Sequence, residues 1–337
     1  MPRISRWPRW RFALLILVLI LPGTPFQIAE AHNRNSLAAR AAAEFPLSQP
    51  QGPITYSYDA AGQRAGMTMP GNQTVSYAYD TGGNLTGVTD WQGRATTFTS
   101  DPDGLRTSMV RPNGVSTALS YDGAGRLGLI EHAQGPTMLE RFVYTLDANG
   151  NRTAVTSNAG TETYSLDALN RVTAATYPDG GAVSFSYDPT GNRTSRTSGG
   201  QTTSYTYDDA DQLLSDGSLA YSYDANGNRT AAGADTFAWD WNNRLTGTTV
   251  GGTTAAYTYD GDDTRVSKST GGTTTPYLWD RQAGLPLLVD DGSQRYLHAG
   301  GVLAGISSDG SASYPLMDGL GSVRARTNGS GAVTESA

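Results

Sequence analysis

The chain has 337 residues, of which 41 are glycine, none is cysteine and 16% are charged, and its formal net charge is −7. An acidic chain repels phosphate backbones, which argues against nucleic acid as a partner. Without cysteine there is no disulfide framework, so stability must come from hydrogen bonds and packing. Tyrosine recurs regularly and the net charge is modest, which excludes the composition of a disordered chain.

The N-terminus predicts export. Four arginines precede an apolar run at Phe12–Leu21, which is shorter than the roughly 20 residues that span a bilayer, and Ala29-Glu30-Ala31 offers a cleavage site. We therefore predict a signal peptide at residues 1–31 and an extracellular, cell-surface or periplasmic protein with no stable membrane span after cleavage. The alternative is an uncleaved membrane anchor that extends to Ile28. Cleavage would leave 20 basic and 30 acidic residues.

Residues 32–52 are predicted to be a linker. They are rich in alanine and then in proline, a composition that favours irregular structure over a packed element. A short helix over Ser36–Phe45 is compatible with the alanine-rich part.

A repeat begins at residue 53 and continues to residue 282. The stretch Thr55-Tyr56-Ser57-Tyr58-Asp59 returns as Ser76-Tyr77-Ala78-Tyr79-Asp80, and most copies are 20 or 21 residues apart. Eleven aspartates align: Asp59, Asp80, Asp101, Asp122, Asp147, Asp167, Asp188, Asp208, Asp224, Asp240 and Asp260. Asp280 would start a degenerate twelfth unit. A fixed period of this length indicates one supersecondary unit per copy.

Two sets of equivalent positions in the repeat, here called registers, predict a β-hairpin. The residues three and one before the aspartate are mostly aromatic, as in Tyr56 and Tyr58, and share one face of a strand. The residue three after it is always one that tolerates positive φ: Gly62, Gly83, Gly104, Gly125, Gly150, Asn170, Gly191, Asp211, Gly227, Asn243 and Asp263. The aspartate therefore caps a tight turn between two strands, and a catalytic role for it is the weaker interpretation.

A third register alternates in chemistry. Five residues after the aspartate the chain reads Arg64, Leu85, Arg106, Leu127, Arg152, Val172, Arg193, Leu213, Arg229, Leu245 and Arg265. We predict a super-period of two units, in which the arginines face solvent or a carboxylate and the aliphatic residues face packed apolar surface. Equal exposure of the two classes would contradict this hypothesis.

The pattern aromatic-x-Tyr-Asp-x-x-Gly resembles the YD repeat of rearrangement-hotspot (RHS) proteins, teneurins and insecticidal toxin complexes. The residues that carry the resemblance include Tyr56, Tyr58, Asp59, Gly62, Arg64, Tyr77, Tyr79, Asp80, Gly83, Tyr187, Asp188, Gly191, Arg193, Tyr223, Asp224, Gly227 and Arg229. The resemblance implies an all-β fold in which the repetitive hairpin sheet winds into a spiral shell or remains an open curved ribbon.

Residues 283–337 resemble the core region that follows RHS repeats. The motif residues are Asp318, Leu320, Gly321, Ser322 and Arg324, and Gly319 stands where the family usually has histidine. Members that carry polymorphic toxins enclose a C-terminal effector, which self-cleavage frees near an Asp-Pro-x-Gly motif. The region is interpreted as truncated, and no cleavage residue is transferred to this chain, because Asp101-Pro102 and Asp188-Pro189 lie inside ordinary repeats.

No catalytic, cofactor or metal site is predicted. His32, His132 and His298 match no zinc spacing, and the acidic cluster Asp260, Asp262 and Asp263 completes no calcium loop. Nucleophile elbows and phosphate-binding loops are missing from the sequence. Sugar rings could stack on Trp91, Trp239, Trp241 and Trp279, although we interpret Trp239 and Trp279 as members of the repeated aromatic register.

The sequence thus favours an exported, non-enzymatic RHS/YD-repeat scaffold without cofactors. Its predicted partner is its own C-terminal effector, which is not present in these residues, or an immunity or secretion protein. The alternative is a cell-surface module for adhesion or carbohydrate binding, with surface glycans as partners.

Overall fold

The computed structural model describes residues 51–282 and 284–336, which form 31 strands and no helix. Within this part of the chain, therefore, no helix has the length and apolarity needed to cross a bilayer. The predicted signal peptide and all but the last two residues of the predicted linker lie outside the described residues.

Within each of four sheets, strands that are consecutive in the chain pair with one another, and every pairing is antiparallel. The first sheet contains β1 (Thr55–Tyr58), β2 (Arg64–Met69), β3 (Gln73–Tyr79), β4 (Leu85–Thr89), β5 (Ala95–Ser100), β6 (Arg106–Val110), β7 (Val115–Tyr121), β8 (Leu127–Gln134), β9 (Thr137–Leu146), β10 (Arg152–Ser157), β11 (Gly160–Leu166), β12 (Val172–Thr176), β13 (Ala182–Tyr187), β14 (Arg193–Ser198) and β15 (Gln201–Ser204).

Three smaller sheets follow. The first pairs β16 (Thr206–Tyr207) with β17 (Leu213–Ser215). The second contains β18 (Tyr221–Tyr223), β19 (Arg229–Ala232), β20 (Asp235–Trp239), β21 (Leu245–Val250), β22 (Thr253–Tyr259), β23 (Arg265–Thr270) and β24 (Thr273–Pro276). The third, here the C-terminal sheet, contains β25 (Leu278–Asp280), β26 (Leu287–Asp290), β27 (Gln294–His298), β28 (Val302–Ser307), β29 (Ala312–Met317), β30 (Val323–Thr327) and β31 (Val333–Ser336).

The repeat aspartate caps the turn of its hairpin, as predicted. In all eleven units its Oδ1 accepts the backbone N–H four residues later, at 2.8–3.1 Å. The residue three after it has positive φ in every unit, from 60° at Asp211 to 105° at Gly191. The hairpin prediction is therefore confirmed in each copy, and the cause is local.

We expect the two glycines of one turn to respond oppositely to alanine. Gly125 has φ +73°, so Gly125→Ala places a Cβ in the left-handed region and should cost about 1–2 kcal/mol of unfolding free energy. Gly123 has no such φ and open space around a built Cβ, so Gly123→Ala should be neutral or stabilising by up to about 1 kcal/mol. Urea unfolding of both variants checks this, and equal effects would contradict it.

The opposite ends of the hairpins are closed by a second set of turns. At Gly199-Gly200, Gly251-Gly252 and Gly271-Gly272 both residues have positive φ, between 53° and 80°, as a two-residue hairpin loop requires. These glycine pairs therefore form the two-residue turns that close the hairpins.

The core lies between the first half of the first sheet and the C-terminal sheet. Met69, Val75 and Val88 on β2–β4 share a buried cluster with Leu278 and Val289 on β25 and β26. Farther along, Val115 on β7 packs against Leu316 on β29 and Ala325 on β30. The C-terminal sheet thus covers one face of the early strands, which removes apolar surface from water on both sides of the contact.

Candidate functional site

In seven units, the aromatic residue just before the aspartate ties its hairpin to the preceding one. The Tyr259 hydroxyl donates to the Leu245 carbonyl oxygen at 2.8 Å, and the Trp239 Nε1 donates to the Arg229 carbonyl oxygen at 2.9 Å. The same bond joins Tyr121 to Arg106, Tyr187 to Val172, Tyr207 to Arg193, Tyr223 to Leu213 and Trp279 to Arg265. The accepting residue opens a strand beside a bulge that interrupts the ladder. These aromatic residues, including both tryptophans, therefore have a structural role.

The arginines of the third register lie on aromatic rings. The guanidinium carbon of Arg193 is 5.5 Å from the ring centre of Phe185 and 4.5 Å from that of Tyr205. Arg229 lies between Tyr221 and Phe237 in the same way, at 5.6 and 5.1 Å. The other members of the register also stack: Arg64, Arg106, Arg152 and Arg265. The ring quadrupole attracts each cation and fixes its position.

The predicted difference in exposure between the two classes of this register is wrong. Arg64, Arg106 and Arg152 are half-buried, and so are Leu85 and Leu127. The physical reason is that these three arginines lay their stems and guanidinium planes on the neighbouring rings. The two classes differ in their contacts instead, with cations on rings alternating with aliphatic groups along one face.

A fourth repeat position, which the sequence analysis did not use, separates the covered part of the aromatic face from the uncovered part. The residue eight after the aspartate pairs across the hairpin with the first aromatic residue, as Met67 does with Tyr56 and Lys268 with Tyr257, and so shares its face. In the first units it is apolar: Met67, Val88, Met109, Ile130, Val155 and Ala175. In the later units it is mostly polar: Arg196, Asp216, Ala232, Thr248 and Lys268. The change from apolar to polar residues is visible in the sequence.

Six cations therefore share the aromatic face of β10–β24, and we call this surface the cationic face. Its members are Arg152, Arg193, Arg196, Arg229, Arg265 and Lys268. Within residues 51–282 and 284–336, no carboxylate oxygen lies within 4 Å of any of them. The Nε atoms of Arg152 and Arg193 are buried and unpartnered in the same part of the chain.

The carboxylates near the cationic face are engaged by other groups. The Tyr164 hydroxyl donates to Glu162 at 2.6 Å, and burial together with this carboxylate raises the pKa of Tyr164 to about 12. Asp216 accepts the Tyr221 hydroxyl at 2.6 Å, which holds the pKa of Asp216 below its usual value. Asp235 accepts the N–H of Gly251. These carboxylates therefore form no ion pair with the six cations, although their charges remain on the same part of the sheet.

A buried polar cluster holds β29 against β7 and β8. Arg111 donates to the Pro315 carbonyl oxygen at 3.1 Å and to Thr117 Oγ1 at 2.8 Å. His132 Nδ1 lies 2.8 Å from Thr117 Oγ1, and His132 Nε2 lies 2.9 Å from the Met317 carbonyl oxygen. A carbonyl can only accept, so Nε2 carries the proton and neutral His132 accepts from Thr117. We call Arg111, Thr117 and His132 the polar clasp.

Asp280 holds the edge of the C-terminal sheet on β1 and β2. It is 3% exposed, forms an ion pair with Arg64, and accepts the Tyr56 hydroxyl at 2.9 Å. Burial, with this carboxylate beside it, raises the pKa of Tyr56. Asp280 also accepts the N–H of Gln282 as a turn aspartate would, but the residue at the glycine position, Ala283, lies outside the described residues.

The core motif folds as another copy of the repeat turn. Asp318 Oδ1 accepts the N–H of Ser322 at 3.0 Å, and Gly321 has φ +80°. A Cβ on Gly319 would lie 2.9 Å from the Tyr144 ring, so there is no room here for the histidine usual in the family. Leu320 is 76% exposed, whereas Arg324 lies over Phe142 at 5.7 Å.

The acidic cluster near residue 260 is occupied by arginines. Arg281 pairs with Asp260 and, at 3.3 Å, with Asp262, while Arg244 pairs with Asp263 at 2.9 Å. Within the described ranges 51–282 and 284–336, no group of three potential metal ligands is assembled. The predicted repeat residues are thus distributed along the sheet as structural contacts and do not converge on one centre.

Two sequence profiles of known families match this chain. The sequence profile of the RHS repeat matches residues 58–95, and that of the teneurin YD-shell matches residues 140–283. The chain is an RHS/YD-repeat protein. Comparison with curated proteins gives no significant match.

Solved structures show the same fold. The Photorhabdus luminescens Tc holotoxin pore with a mutated TccC3 has a TM-score of 0.69 at 18% identity, over 84% of this chain and 17% of that one. TcdB2-TccC3-TEV gives 0.67 at 17% identity over 84% and 17%, and TcdB2-TccC3 gives 0.65 at 18% identity over 83% and 18%. The RHS/YD-repeat protein therefore has the all-β, long-sheet fold of these YD-shell chains and spans less than a fifth of their length.

Proposed function

We propose that this RHS/YD-repeat protein is an exported, non-enzymatic scaffold that forms part of a shell around a C-terminal toxin effector. The observation that carries the proposal is the fold, since 84% of the chain superposes on a chain of the Tc holotoxin at a TM-score of 0.69. A second support is the cationic face, whose six cations form no ion pair with a carboxylate within the described residues.

Sequencing the source DNA beyond the codon for Ala337 tests the proposal. We expect the reading frame to continue into an Asp-Pro-x-Gly element and an unrelated domain. In the longer protein, that domain should resist a protease that digests the domain alone, because a surrounding shell excludes the protease. A stop codon directly after Ala337, or digestion at the same rate in both forms, would contradict enclosure of an effector.

Carbohydrate binding is the second candidate. Trp241 lies in the Asp240 turn with 85% of its surface exposed, and an exposed indole can stack on a sugar ring. A glycan-binding assay on the exported protein tests this candidate, and the absence of binding would contradict it.

A further inference from the structure

We propose that the cationic face binds an extended, acidic polypeptide segment. The inference deepens the proposed function, because it names the class of partner that this surface of the shell would hold. It is carried by the positions and partners of six side chains: Arg152, Arg193, Arg196, Arg229, Arg265 and Lys268.

The arginines of this surface are fixed in place before any partner arrives. Arg193, Arg229 and Arg265 each lie between two aromatic rings, at 4.5–5.6 Å from the ring centres. Stacking covers the planes of a guanidinium, and since Nε of Arg193 is buried, the edge formed by the two terminal nitrogens is the one left for a ligand. That planar fork matches the two oxygens of a carboxylate. Because the side chains are already ordered, binding costs little of their conformational entropy.

The charge of this surface is opposite to that of the whole chain. Six cations share the face with three carboxylates, Glu162, Asp216 and Asp235, so positive groups outnumber negative ones two to one there. The chain as a whole has a net charge of −7. A local excess of positive charge on an acidic protein attracts an anionic partner to this face in particular.

The spacing favours a polypeptide over a nucleic acid. Arg152 on β10 and Arg193 on β14 are four strands apart, as are Arg229 on β19 and Arg265 on β23. Four strand spacings measure about 19 Å, which an extended peptide covers in roughly six residues. The phosphates of one strand follow one another about every 3.4 Å along the axis of duplex DNA, far more closely than these arginines. Aliphatic residues such as Leu245 lie between the cations and suit apolar residues between the acidic ones.

The test is binding of a labelled synthetic peptide in which glutamates are separated by five uncharged residues that include leucine. The full chain should bind it, with affinity that falls as salt is raised, and should bind the glutamine version at least about tenfold more weakly. The double variant Arg193→Gln/Arg229→Gln should bind the glutamate peptide about 10- to 100-fold more weakly than the wild type. Fluorescence anisotropy measures each affinity.

The matched control is Arg141→Gln. Arg141 pairs with Glu131 on the opposite face of the first sheet, so its loss lowers the net charge by one, half the change in the double variant, and should alter peptide affinity less than about twofold. Circular dichroism and thermal unfolding verify that each variant folds. The variant Arg193→Lys/Arg229→Lys keeps both charges but loses the planar fork, and it should bind with intermediate affinity.

Three results would overturn the proposal. The first is that a folded double variant, with glutamine or lysine at positions 193 and 229, binds the glutamate peptide as tightly as the wild type. The second is that Arg141→Gln loses as much peptide affinity as the glutamine double variant. The third is tighter binding of single-stranded DNA than of the glutamate peptide. Each of these results leaves the shell function separately testable, because protease protection of a C-terminal domain does not depend on this peptide.

Discussion

Phe98→Ala should lower the unfolding free energy by about 3–5 kcal/mol, the usual cost of removing a fully buried aromatic side chain. Phe98 is 4% exposed and belongs to the cluster between the early strands and the C-terminal sheet. It also carries the guanidinium of Arg106 at 4.2 Å. The variant would therefore leave a cavity between two layers and remove a stacking partner. Urea denaturation monitored by circular dichroism measures the change.

Phe237→Ala is the matched control, since Phe237 occupies the same register of its repeat unit. Phe237 is only half-buried, on the part of the face that carries the cations. We expect a loss of about 1–2 kcal/mol, because less apolar surface returns to water and no interlayer cavity forms. If the unfolding free energy fell equally in both variants, the C-terminal sheet would not be contributing to the stability of the early repeats.

The second large effect is a loss of stability on mild acidification, through His132. This side chain is 2% exposed, and burial lowers its pKa from 6.5 to about 4. In the folded protein it is neutral, donates to Met317 and accepts from Thr117, beside the buried cation Arg111. The unfolded chain gains a proton as pH falls below 6.5, whereas the folded chain does not until about pH 4. Acid therefore favours unfolding across this window.

The size of this loss of stability follows from how far burial lowers the pKa of His132. We expect the unfolding free energy to fall by about 3 kcal/mol between pH 6.5 and 4, beyond any change in a variant without this imidazole. Turn aspartates such as Asp80 and Asp122 have pKa values lowered by hydrogen bonds, so their contribution is lost only at lower pH. Urea unfolding at a series of pH values measures the slope.

The control for this effect is His132→Gln. The variant cannot titrate, so it should start less stable and show a flatter dependence on pH across the same window. A wild-type curve that is flat from pH 6.5 to 4.5, or an unchanged slope in the variant, would show that His132 does not limit stability there.

The hairpins and their turns could be predicted because their causes are local. An aspartate that caps its own turn, a residue that tolerates positive φ three positions later, and a period of two along a strand require no distant partner. Asp59, Gly62 and Tyr56 therefore predicted the first hairpin, and the same reasoning succeeded in all eleven copies. The family resemblance supplied the expectation of one long all-β sheet system, which hairpin periodicity alone does not contain.

The environment of each hairpin was decided by tertiary structure. Phe98 and Phe237 have the same repeat register, yet only Phe98 lies under the C-terminal sheet. Likewise, Asp280 matches the turn aspartates in sequence, but its carboxylate binds Arg64, 216 residues away. The exposure of the arginine register was mispredicted for the same reason, because stacking depends on rings from adjacent hairpins.

The sequence by itself therefore determined the hairpin unit, its turns and the number of its copies, because the residues that decide them are close together in the chain. Only the tertiary structure decided which face is covered, which arginines keep free edges and how the polar clasp holds β29. Those outcomes depend on desolvation and charge pairing between residues far apart in the sequence.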